Sequence, residues 1–113
     1  MDKISIKIPQ NNHYQKSLRL FVAGLASDLN FDIEQIEDLK VLLSEAINYK
    51  MGKDGLDLAF LVGEDKLSIE VIGDDKKTDA KALDMRDAIL SALADEIETE
   101  GDLLRITMRK THA

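Results

Sequence analysis

Polar and apolar residues alternate strictly at the start of the chain. Lys3-Ile4-Ser5-Ile6-Lys7-Ile8 puts isoleucines on one side and polar groups on the other, the period of a half-buried strand, which Pro9 closes. From Tyr14 the spacing changes to threes and fours. Leu18, Phe21, Val22, Leu25 and Leu29 form one stripe of a first helix, with Asn11 or Asn12 as its expected cap. Phe31-Asp32-Ile33-Glu34-Gln35-Ile36 opens a second helix: Asp32 is the N-cap, Gln35 answers it three residues on, and Phe31 is placed to pack on Ile36. Its stripe runs through Ile36, Leu39, Leu43, Ala46 and Ile47, and Gly52 is the expected stop.

Leu56, Leu58, Phe60 and Val62 alternate as one strand, Gly63-Glu64-Asp65-Lys66 turns, and Leu67, Ile69 and Val71 alternate as the next, which together predict a hairpin. Residues 73–79 carry no apolar side chain and read as a loop. Leu83, Ala88, Leu90, Leu93, Ala94 and Ile97 predict a third helix, although Glu96-Ile97-Glu98-Thr99 also reads as a strand that a last hairpin joins to Leu104, Ile106 and Met108. Each strand has one apolar side and each helix one stripe, so the economical packing is a single sheet covered on one face by helices.

Composition narrows the function classes. The chain has 113 residues, 44% of them hydrophobic, which suits a single domain spanning 1–113 with one ordinary core. A formal charge of -7 argues against nucleic acid and anionic membranes as partners, because no surplus of cations is present to replace phosphate counterions. Without cysteine there is no disulfide framework, thiolate metal site or thiol nucleophile. No apolar run approaches the ~20 residues that span a bilayer, and no leader is evident, so the chain reads as a complete cytoplasmic protein. His13 and His112 are far apart in sequence and predict no metal site, while Met51, Met85 and Met108 are expected as core fillers.

At Glu37-Asp38-Leu39-Lys40-Val41-Leu42-Leu43-Ser44-Glu45-Ala46 the sequence resembles the anti-sigma factor serine kinases, a bacterial branch of the GHKL ATPase and kinase superfamily. The likeness extends to Ile4-Ser5-Ile6-Lys7-Ile8-Pro9, Leu18-Arg19-Leu20-Phe21-Val22-Ala23-Gly24-Leu25-Ala26, Leu67-Ser68-Ile69-Glu70-Val71 and the last helix and strand, in the family's order. The resemblance implies the histidine-kinase-like ATPase (Bergerat) fold, an α+β two-layer sandwich whose mixed sheet is covered on one face by three helices.

The resemblance also implies a site. In the family, a glutamate on the second helix serves as base toward the attacking hydroxyl and an asparagine four residues on helps hold magnesium, an arrangement that needs both on one helix face. Glu45 matches the glutamate, but Tyr49 stands four residues on, and the nearby asparagine is Asn48. The family's adenine-binding aspartate and two glycines correspond to Gly73, Asp75 and Lys77; a shift of one residue offers Asp74 as the aspartate, with Lys76 and Thr78 still in place of the glycines. The lid that should precede the third helix is short and has no glycine, and Asp79, Asp84 and Asp87 suit a helix dipole better than a triphosphate.

Glu45 as a vestigial catalytic base, and Asn48, Asp74 and Asp75 as vestigial nucleotide contacts, are therefore the candidate residues, with no metal set. The resulting expectation is a regulator that has lost nucleotide handling and needs no cofactor. It would act by binding a sigma factor or an anti-anti-sigma protein, and would pair as a homodimer. The alternatives are a small protein serine kinase that binds ATP with magnesium through Glu45, Asn48 and Asp74, and a stand-alone dimerisation module.

Overall fold

A computed structural model describes residues 2–9, 12–51 and 55–111, with the side chains of Asn12 and Met51 left aside. The elements follow the order β1 (Asp2–Ile8), α1 (Gln15–Asp28), α2 (Ile33–Asn48), β2 (Lys50–Met51), β3 (Leu56–Val62), β4 (Lys66–Ile72), β5 (Asp74–Asp75), α3 (Ala80–Leu93), β6 (Glu96–Glu100) and β7 (Leu103–Arg109). Five strands form one sheet in the order β1-β3-β4-β7-β6. Each of its four pairings is antiparallel, so the expected mixed sheet is corrected to an antiparallel one. The reason lies in the connections: β3–β4 and β6–β7 are hairpins, the crossover through α1 and α2 brings β3 back antiparallel to β1, and the crossover through α3 sets β6 parallel to β4 with β7 antiparallel between them.

The register explains the layering. Ile4, Phe60, Ile69, Ile106 and Ile97 lie in one row across the sheet, and Ile6, Leu58, Val71 and Leu104 in the next. These residues join Leu18, Val22 and Ala26 of α1, Leu39, Leu42, Leu43 and Ala46 of α2 and Leu90 of α3 in one core. Phe60, wholly buried, meets the ring of Phe21 edge to face at 5.1 Å between centroids. The opposite sheet face is polar. Ser68 and Thr107 share a hydrogen bond of 2.7 Å there, and Arg105 bridges Glu70 and Glu98 on the neighbouring strands.

Local sequence sets the helix ends. A 3-10 turn over Asn12–Tyr14 leads into α1, and the residue at the cap position is Tyr14, with no side-chain bond; of the two expected caps, Asn11 lies outside the described residues and Asn12 belongs to the turn. Helix α1 stops at Asn30, whose φ of 64° is left-handed, with the amides of Asn30 and Phe31 returning to the carbonyls of Ser27 and Ala26. Asp32 caps α2 as expected, its Oδ1 accepting from the Gln35 amide at 2.8 Å. The Gln35 side chain does not close a capping box; it donates to the carbonyl of Arg109 at 2.7 Å and so ties the start of α2 to the end of β7. Helix α2 ends at Asn48, and the expected stop at Gly52 lies outside the described residues. At Gly55, φ is 113° and a Cβ would lie 2.2 Å from the Ile8 carbonyl oxygen, so only glycine fits beside β1. Met108 is buried as expected, whereas Met85 is 68% exposed and fills no core.

Candidate functional site

The expected loop 73–79 is not wholly irregular. Its second and third residues form β5, which pairs antiparallel with β2, setting Lys50 opposite Asp75 and Met51 opposite Asp74. Proximity along the chain does not predict this ribbon, because its two strands are only two residues long and are joined through the whole β3–β4 hairpin. It directly links the C-terminal end of α2 to the connection between β4 and α3.

Side chains pin the ribbon. Asp75 Oδ1 lies 3.1 Å from Lys50 Nζ and 2.9 Å from Arg86 Nη1 of α3, and Arg86 Nε donates to Asp87 Oδ1 at 3.0 Å. The Lys50 and Arg86 side chains are each only 5% exposed. The hydrogen bond from Arg86 holds the Asp75 carboxyl below the ordinary carboxylate value; partial burial works against this and Lys50 adds to it. Burial opposes the charge on Arg86, but its bonds to Asp75 and Asp87 outweigh that and raise its pKa.

The main-chain donors of the connection are also engaged. Gly73 donates to the carbonyl of Asp102 at 3.0 Å, and Lys76 to that of Tyr49 at 2.8 Å. Lys50 Nζ reaches the Asp102 carbonyl as well, at 3.3 Å, which joins the β6–β7 turn to the cluster. At the start of α3, Asp79 is the N-cap and its Oδ1 accepts from the Ala82 amide at 2.8 Å. The helix end that could receive a phosphate thus carries a carboxylate of its own.

The four candidate residues divide between α2, which carries Glu45 and Asn48, and the ribbon, which carries Asp74 and Asp75. Glu45 is half-buried and lines a pocket of about 310 Å³ with Arg19, Glu37, Lys40, Val41 and Ser44. The two lysines that could have partnered it are paired elsewhere, Lys40 with Glu37 and Lys50 with Asp75. Asn48 Oδ1 accepts from Gln15 Nε2 at 2.6 Å, so its side chain ties α2 to α1. Asp74 is exposed on the ribbon, and Asp75 is held against α3. Among the described residues no group of three His, Cys, Asp or Glu side chains is placed to hold a metal.

Sequence reasoning missed Lys50 and Arg86. The signal was present: Arg86 stands between Leu83 and Leu90 at helical spacing, and Lys50 continues the line of Leu43, Ala46 and Ile47, so both cations occupy stripe positions where apolar residues are the rule. A buried cation at such a position needs a carboxylate, and Asp75 is within reach of both.

Comparison with models of known protein families returns no match. Individual proteins do match. The chain is 43% identical over 81 residues to the serine-protein kinase RsbW of Bacillus pumilus (strain SAFR-032), covering 63% of this chain and 49% of that protein. It is 39% identical over 77 residues to the serine-protein kinase RsbW of Listeria monocytogenes serovar 1/2a (strain ATCC BAA-679 / EGD-e), covering 62% and 49%. With the serine-protein kinase RsbW of Bacillus subtilis (strain 168), identity is 33% over 109 residues, 88% of this chain and 68% of that protein. The chain belongs to the RsbW family of anti-sigma factor serine kinases. The resemblance carried by residues 37–46 and the flanking elements is thereby borne out, and the α+β architecture is compatible with the histidine-kinase-like fold of RsbW proteins. The chain spans about half the length of the first two RsbW relatives. No described helix is long and apolar enough to cross a membrane.

Proposed function

We propose that this RsbW-family chain is a regulator of bacterial transcription that acts by binding protein partners, a sigma factor or an anti-anti-sigma protein, and that it does so without nucleotide. One observation carries the reading: the space between the end of α2 and residues 73–79 is bridged by the β2–β5 ribbon, with Asp75 clamped between Lys50 and Arg86. Three further features support it. The seven-residue connection is too short to swing as a lid while two of its residues are in a ladder, the Gly73 and Lys76 amides are already bonded, and Asp79 caps the helix that would face phosphate. Glu45 then has no metal-bound phosphoryl group to act on, and its role is on the pocket beside Arg19 and Ser44. Pairing as a homodimer, as the resemblance implies, is part of the same proposal.

The relatives, serine-protein kinases, favour a second reading, in which the chain is an ATP-dependent serine kinase using magnesium. Glu45 stands where that reading wants its base. Calorimetry separates the two. Titration with ATP and magnesium is expected to give no saturable heat; micromolar binding that disappears in Glu45→Ala or Asn48→Ala would establish the kinase reading instead.

A further inference from the structure

The face of the sheet turned away from the helices keeps its two signs of charge at opposite edges. Lys3, Ser5 and Lys7 stand exposed on β1, and Glu96, Glu98 and Glu100 stand exposed on β6. The registers place them at the two ends of three rows that cross the sheet, Lys3 with Glu96, Ser5 with Glu98 and Lys7 with Glu100. Among the described residues Lys3, Lys7 and Glu100 make no ion pair, while Glu98 and Glu96 meet Arg105 and Arg109. The relief of the face is uneven as well. Ser5 and Ala59 are small and leave a hollow of about 400 Å³ beside Lys3, Lys7 and Glu70. Two strands from Ala59, Arg105 is held across the face between Glu70 and Glu98, at 2.9 and 3.0 Å. An outer face that is only solvated needs neither the separation of charge nor a matching hollow and ridge.

We propose that a second copy of the chain docks on this face, related to the first by a two-fold axis that runs along β4, parallel to the strands. Such an axis exchanges the two edges, so β1 of one copy lies over β6 of the other in the same strand sense. Lys3 then meets the partner's Glu96 and Lys7 the partner's Glu100, and symmetry repeats both contacts. The same operation sets the partner's Arg105 over Ala59 and the partner's Glu98 over Ser5, so that the ridge fills the hollow. Glu70 meets its own copy at the axis, each neutralised by its Arg105 at 2.6 Å. A two-fold axis across the strands would instead lay Lys3 on Lys7 and Glu96 on Glu100, so the charges select the first arrangement. Aligned sheets pack about 10 Å apart with strands within about 30° of each other, a gap that lysine and glutamate side chains span. From strand and residue spacings the face measures roughly 24 by 20 Å. Two copies then bury on the order of 1,000 Å², the low end for a specific interface, which makes the dimer weak and salt-sensitive. This inference rests on the homodimer of the proposed reading and gives it a surface.

Exchange of the edge charges in the full chain tests this by sedimentation velocity. The unsubstituted chain is expected to dimerise at high micromolar concentration, and to dissociate as sodium chloride rises from about 50 to about 500 mM. Lys3→Glu/Lys7→Glu and Glu96→Lys/Glu100→Lys are each expected to self-associate at least about tenfold more weakly, because like charges then face each other at both edges. Mixed in equal amounts, the two variants are expected to form a one-to-one heterodimer, since both edge contacts are complementary again. Thermal unfolding checks that each variant is folded; if the loss of the Glu96 pair with Arg109 prevents this, Lys7→Glu and Glu100→Lys replace the double variants. Dimerisation unaffected by the exchanges overturns the docking face and leaves the homodimer itself standing. A chain that is monomeric at every concentration overturns both. Variants that fail to pair on mixing, or that pair as extended oligomers instead of dimers, overturn the face as well. None of these outcomes bears on the calorimetry with ATP, so the nucleotide-free reading stands or falls separately.

Discussion

Replacing Arg86 with methionine removes the charge while keeping most of the buried stem, and its cost is calculable from the cluster. Two charge-assisted hydrogen bonds are lost, at 2.9 Å to Asp75 and 3.0 Å to Asp87. Bonds of this kind contribute about 1.5–3 kcal/mol each when buried. Here the partner carboxylates are 42% and 58% exposed and regain water, and Lys50 still holds Asp75, so the net loss should be about 2 kcal/mol. In a domain of this size that lowers the thermal midpoint by roughly 6–8 °C. Asp75→Asn acts differently, because it removes the carboxylate charge that Lys50 and Arg86 share and so raises the repulsion between two cations within about 6 Å of each other. Removing Arg86 relieves that repulsion. The double variant should then be more stable than the sum of the single losses predicts, by at least about 1 kcal/mol in a cycle measured by urea unfolding. Single effects that add within about 0.3 kcal/mol would show that the three groups are not one network.

Asp79→Ala removes the cap of α3 and should cost about 1 kcal/mol in urea unfolding, with faster hydrogen exchange at the Ala82 amide; unchanged exchange there would remove the self-capping argument. The pKa of Asp75 is depressed in the folded chain, so its contribution to stability is complete above the unfolded carboxylate value near 4 and is lost as pH falls through the lower folded value. Stability curves of the unsubstituted chain and Asp75→Asn should therefore begin to converge as pH falls below about 4, and a difference that widens on acidification would contradict this. Phe60→Ala empties the most enclosed aromatic position of the sheet and should cost about 3–5 kcal/mol by denaturant unfolding; a loss under 1 kcal/mol would mean that the core is not packed as described.

The long, periodic elements were legible because burial imposes period on the sequence. The alternation at Ile4, Ile6 and Ile8 and the capped start at Asp32 lead directly to β1 and α2. The two hairpins fixed the antiparallel sense of β3–β4 and β6–β7, but that of β1–β3 and β4–β7 was not legible, since periodicity gives faces and no direction. Nor was the ribbon: Asp74 and Asp75 are turn residues by type, and only the distant Lys50 and Arg86 make Asp75 a bridging ligand. The same holds at the candidate site. Glu45 and Asn48 are helix neighbours by spacing, yet Asn48 is engaged by Gln15 from α1, a partner 33 positions away that no local rule singles out. Gln35 is a parallel case, since the capping box expected from its position loses to the Arg109 carbonyl at the end of β7.

The central proposal, that this member of the RsbW family acts without nucleotide, is tested most directly at the main-chain amides of the 73–79 connection and the start of α3. In a nitrogen-15 labelled chain, the resonances of Gly73, Lys76 and Ala82 report the hydrogen bonds that these main-chain donors make to Asp102, Tyr49 and Asp79. Adding ATP with magnesium to millimolar concentration should move them no more than sodium chloride of equal ionic strength does. Saturable shifts at these three amides, accompanied by shifts at Glu45 and Asn48, would contradict the claim.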